Sequence, residues 1–125
     1  MTHIPEWDDS PQRIADLANV EHWYAQQFAY LLDQMKSVPE GDGTLLDHSL
    51  VVWVNELNVP WMHTHDNIPF VLAGGCKGQI QKGQRLHYES ANHNDLWITV
   101  LAAMGVEVST FGHPDFCTSG LTGIL

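Results

Sequence analysis

Basic side chains are scarce in this chain. Only 5 of its 125 residues are Lys or Arg, against 15 Asp and Glu, for a formal net charge of -10. Binding to a phosphate backbone needs clustered cations, and Arg13, Lys36, Lys77, Lys82 and Arg85 are scattered. That excludes nucleic acid as a partner and disfavours an anionic membrane surface. Cysteine is rarer still, with two residues. Cys76 and Cys117 lie far apart, read as two free thiols and say little about the redox compartment. No apolar run approaches the roughly 20 residues of a spanning helix. The stretch from Met1 to Asp9 lacks the basic start and apolar centre of a signal peptide. Taken alone, the chain is expected to stay where it is made.

What is present fits one domain with a modest core. The apolar fraction of 44% is ordinary for a globular protein. After an irregular lead-in, Ser10-Pro11 reads as an N-cap followed by proline at the first helical position. Ile14, Leu17, Val20, Tyr24, Phe28, Leu31, Leu32 and Met35 then recur at spacings of three and four. This is one apolar helical stripe, ended by Pro39 and Gly41-Asp42-Gly43. Leu50 to Val54 and Ile68 to Ala73 are short apolar runs, expected as strands buried on both faces. Arg85 to Tyr88 suits a short edge strand. Asn94 or Asp95 is expected to cap a second helix carrying Leu96, Trp97, Val100, Leu101 and Met104, with Gly105 as its stop. The tail from residue 114 is expected to be irregular. Two main helices on a few buried strands make part of an α/β layer, a sheet that wants more neighbours.

The candidate chemistry lies between the two strands. Asn55 and Glu56 follow the first, and His63-Thr64-His65-Asp66-Asn67 precede the second. Carboxylate, amide and imidazole groups in one loop suit a divalent cation such as zinc, manganese or calcium, or a phosphate-like oxyanion. His63 and His65 are two apart and point in opposite directions in an extended loop. Equally, these polar residues cap the strand ends by hydrogen bonds. His87 and His93 could approach the same place, whereas His22, His48 and His113 read as surface or turn residues. Gly74-Gly75-Cys76-Lys77-Gly78 lacks the Gly-Lys-Ser/Thr ending of a phosphate loop. Its glycines are expected to permit positive φ in a tight turn.

The run His63 to Leu72 resembles the C-terminal metal-site segment of alkaline phosphatases. A closer resemblance is to a family of exported, sulfatase-like proteins of the alkaline phosphatase/sulfatase superfamily, classed as a domain of unknown function. It rests on Trp23 to Met35, Pro39 to Ser49, the His-x-x-x-x-Pro-x-x-x-Ala-Gly-Gly segment, Asn94-Asp95-Leu96, Met104-Gly105-Val106 and Phe111-Gly112. It implies a partial alkaline-phosphatase-like layer belonging to a metal-dependent hydrolase of phosphate or sulfate esters. Glu56 and His63 would then be metal ligands, with Asn55, His65, Asp66 and Asn67 behind them or facing substrate. Leu57 stands where many members have a histidine. The superfamily's nucleophile lies in an N-terminal half that these residues do not match. The resemblance therefore implies a C-terminal fragment, inactive alone, from a protein exported or periplasmic at full length. The other reading is a non-enzymatic binding or assembly module. Both leave apolar faces uncovered and imply self-association or a missing N-terminal half.

Overall fold

In the computed structural model, which describes residues 10–58 and 62–125, a long N-terminal helix begins where its capping chemistry places it. Helix α1 spans Pro11–Ser37, and the Ser10 hydroxyl accepts from the Arg13 amide at 3.4 Å. Proline at the first position has no amide to lose there. Strands β1 (Pro39–Glu40) and β2 (Gly43–Thr44) form a two-residue antiparallel ribbon. Short helix α2 (Leu45–His48) follows, closed by a capping box in which Thr44 and Asp47 satisfy each other's amides. Strands β3 (Val51–Val54) and β4 (Phe70–Ala73) pair antiparallel, with Val51 opposite Ala73 and Val54 opposite Phe70. Helix α3 spans His93–Ala103. It ends in a Schellman turn, with the Gly105 amide on the Ala102 carbonyl and the Val106 amide on that of Leu101.

The fold is thus mixed α/β, with three α-helices and two small antiparallel sheets among the described residues. Several expectations need correction. β3 and β4 are half-buried to exposed and not covered on both faces, because the described sheet has two strands and little packs over it. Arg85 to Tyr88 is not a strand; that segment is tied by side chains to the tail instead. Asn92, not Asn94 or Asp95, is the N-cap of α3. Along the α1 stripe only Phe28, Leu32 and Met35 become half-buried, with Phe28 stacked 5.2 Å from Trp53.

The core is small. Cys76, Ile80, Leu96, Ala103 and Ile124 are buried together, with Leu50, Phe70, Leu72, Val100 and Leu121 packed around them. Its most buried side chain is a charge. Asp95 is 2% exposed, and its carboxylate accepts from the Thr118 amide at 2.8 Å, the Thr118 hydroxyl at 2.7 Å and the Ser119 amide at 3.2 Å. Burial alone would raise its pKa, but these donors outweigh that and hold it below the ordinary 3.8. The rest of the tail continues the attachment. The Leu121 amide donates to the Thr99 hydroxyl at 2.6 Å, and the Tyr88 hydroxyl donates to the Thr122 carbonyl at 2.6 Å. Gln84 reaches the Gly123 carbonyl, and Gln81 takes up the carbonyls of Ile124 and Leu125.

Between β4 and the core lies the glycine turn. Gly74 has φ +117°, and a Cβ there would stand 2.3 Å from the Ser49 carbonyl oxygen; at Gly75 it would meet the Asp47 carbonyl at 2.5 Å. These glycines allow both the positive φ and a close approach of β4's end to α2. The Gly75 amide bonds Leu46, that of Cys76 bonds Ser49 and that of Gly78 bonds Gly75. Amides spent in this way are not aimed at a ligand.

Replacing Asp95 with alanine should lower unfolding free energy by about 3 kcal/mol, since it leaves buried donors without a charged acceptor. The pH dependence has a definite sign. Because the folded pKa is depressed, the stabilisation is complete above 3.8 and is lost as pH falls through the lower folded value. Urea titrations at neutral and acid pH should show a smaller acid loss in Asp95→Ala than in the parent. Gly74→Ala should also destabilise, by more than about 1 kcal/mol, because backbone oxygen cannot move aside as a side chain can. Thermal unfolding of that variant measures the cost.

Candidate functional site

The pairing register of β3 with β4 creates the site's frame. Val54 lies opposite Phe70, so the connection 55–69 leaves and re-enters the sheet at one end. Asn55, Glu56, His63, His65, Asp66 and Asn67 all lie on this connection and are exposed. Val59, Pro60 and Trp61 fall outside the described residues, as does His3. The Asn58 amide donates to the Thr64 carbonyl at 3.0 Å and draws the loop together. His63 and Asn67 have φ of 53° and 51°, left-handed conformations that few side chains favour. Such positions persist only where surrounding structure enforces them.

The structure divides the candidates into two groups. His65, Asp66 and Asn67 line an open cleft of about 1900 Å³ that the segment from Gln81 to His93 also lines. His87 and His93 line the same cleft, so the loop and these two histidines do face a common space. Glu56, His63 and Asn55 are not part of that lining, although they sit on the same loop. Leu57 on the same loop is half-buried.

Charge in the cleft is mixed. Lys82 and Arg85 are two of the chain's 5 basic residues, and Lys82 Nζ lies 3.7 Å from the Asp47 carboxylate. The Thr44 hydroxyl and then its amide hold the Asp47 carboxyl below its ordinary value, with a smaller contribution from Lys82. Asp47 is thereby an anion fixed at the cleft edge beside a cation.

A divalent ion needs about three or four protein donors at one point. Among the described residues no group of three His, Cys, Asp or Glu side chains gathers closely enough to hold one. Glu56 and His63 supply one carboxylate and one imidazole, both in solvent. The residues present do not fit a complete metal site, and no chemistry is routed through one here. The remaining histidines serve locally. His48 sits between Glu40, at 3.4 Å, and Asp42, at 3.1 Å. His22 pairs with Gln26 along α1, and His113 Nδ1 accepts from the Asp115 amide. Cys76 and Cys117 are free thiols.

Two determinants were not evident from sequence. Asp95 was expected as a cap and instead binds the tail, a role set by residues 23 and 24 positions away. The capping box of α2 did have a local signal in Thr44-Leu45-Leu46-Asp47. Among the described residues, no helix is long and apolar enough to cross a membrane. Comparison with protein-family models, with curated proteins and with solved structures found no match.

The incomplete donor set has a direct consequence. The purified chain should retain far less than one equivalent of zinc, manganese or calcium after dialysis, and His63→Ala should not change that. Elemental mass spectrometry of both proteins decides it. Stoichiometric metal lost in the variant would show that the loop is a sufficient site.

Proposed function

We propose that this chain is the C-terminal part of a metal-dependent hydrolase of phosphate or sulfate esters, related to alkaline phosphatases and sulfatases. In this reading it has no turnover on its own. The observation that carries the proposal is the loop 55–69, which brings a partial donor set to one end of a sheet with only two described strands. Glu56 and His63 would contribute to a divalent site completed by residues of another segment. His65, Asp66 and Asn67 would face substrate across the cleft that His87 and His93 also line. The resemblance of His63 to Leu72 to the phosphatase metal-site segment supplies the ester chemistry. No Ser, Thr or Cys in the chain is assigned as nucleophile, so the same reading places that group elsewhere.

A second reading, a non-enzymatic binding or assembly module, is favoured by Leu57 in place of a ligand. The exposed N-terminal half of α1 favours it too.

The purified chain should not hydrolyse p-nitrophenyl phosphate or p-nitrophenyl sulfate with zinc, manganese or calcium added. Turnover abolished by Glu56→Ala would overturn the claim of inactivity. The DNA upstream of Met1 tests the parentage. A reading frame for an exported α/β segment with a Ser, Thr or Cys nucleophile supports the hydrolase. A promoter and ribosome site with no such segment favours the module.

A further inference from the structure

The methionines of the chain differ in what surrounds them. Met1 lies outside the described residues and Met35 is half-buried on α1, whereas Met62 and Met104 are 65% and 56% exposed. Met62 sits on the loop 55–69, and Met104 is the C-cap of α3. Met104 alone of these two has its sulfur on a buried group. The Cys76 thiol, 5% exposed, faces Met104 Sδ at 3.2 Å and the Ala103 carbonyl at 3.2 Å. A thiol has one proton for these two acceptors, so the meeting of the sulfurs is soft packing as much as hydrogen bonding.

That contact joins two parts of the fold that are 28 residues apart. Cys76 follows the glycine turn at the end of β4, and its amide is bonded to the Ser49 carbonyl. Its backbone has φ +43°, a left-handed conformation that residues other than glycine keep only where their surroundings enforce it. Its side chain is buried with Leu96 and Ala103 of α3. An exposed methionine is thereby coupled to a buried, conformationally constrained turn.

We propose that Met104 is an oxidative modification site whose state sets how firmly the glycine turn is held on α3. The thioether sulfur supplies an electron pair to one oxygen of hydrogen peroxide. The S–O bond forms as the O–O bond breaks, and the second oxygen leaves as water, so the thioether is oxidised and the peroxide reduced. The product is a polar, chiral sulfoxide in place of a flexible apolar side chain. Such a group is best solvated by water and a poor neighbour for a buried thiol, so the side chain turns outward and Cys76 loses its contact. Two thiols reverse the step, leaving as a disulfide and water and restoring the thioether. This inference is independent of the hydrolase reading, since neither residue lies on the loop 55–69 or lines its cleft.

The full chain treated with hydrogen peroxide, then followed by peptide mass spectrometry and thermal unfolding, tests it. Met62 and Met104 should each gain one oxygen ahead of Met35. The parent's Tm should fall by at least about 3 °C, and hydrogen exchange at the Cys76 amide should quicken. Met62→Leu should show the same fall. Met104→Leu, a swap of similar volume, should begin near the parent's Tm and be unmoved by peroxide. Methionine sulfoxide reductases for both epimers, supplied with dithiothreitol, should restore the treated parent, which reads the same site without any substitution. A Tm unchanged once Met104 carries oxygen would overturn the proposal. So would a Met104 left unmodified while Met62 is oxidised, or a fall that persists in Met104→Leu, which would place the sensitive group elsewhere.

Discussion

The carboxylate of Asp95 is the constraint on which the described body depends. It is a charge in a core of only a few apolar side chains, and an unpaired buried charge costs more than such a core supplies. The tail resolves this by delivering two amides and a hydroxyl from Thr118 and Ser119. Once those bonds fix the tail's direction, Leu121 and Ile124 arrive at the core and the Thr99 hydroxyl takes the Leu121 amide. The attachment then passes to Tyr88, Gln84 and Gln81, which are anchored in turn. An irregular tail is thereby the structural support of the segment that forms one wall of the cleft.

The other wall depends on register. Val54 opposite Phe70 makes the loop 55–69 begin and end together, and the glycine turn at the far end of β4 locks that strand against α2. Any slip by one residue would reverse the side-chain faces of both strands and bring Cβ atoms into the Ser49 and Asp47 carbonyls. Rigid strands thus carry a loop of polar groups with left-handed backbone at His63 and Asn67. Among the described residues, no three of the loop's donors gather at one point.

Local features were the ones legible in the sequence. Ser10-Pro11 and Gly105 are start and stop signals whose physics acts within one helical turn, and both operate as expected. The apolar runs announced two strands, which the structure starts later, at Val51 and Phe70; β-branched content favours β3, whereas β4 has it only at Val71. Their burial was not legible, since it is set by what packs over them. The same limit applies to the α1 stripe, where identical spacing yields half-buried Phe28, Leu32 and Met35 but exposed Ile14 and Leu17. Periodicity states which face is apolar, and only tertiary contacts state how far that face is covered. Asp95 was misread for a related reason. Beside a local bond with the Asn92 backbone, its tail partners lie more than 20 residues away, and no local pattern distinguishes a capping aspartate from one that also binds a distant tail.

The polar loop 55–69 and the exposed apolar positions along the N-terminal half of α1 make different demands on whatever meets them. The loop offers direction without affinity, since exposed polar groups exchange water for a partner at little net gain. The apolar positions of α1 offer area without direction, because the gain from burying apolar surface is roughly proportional to its area and non-directional.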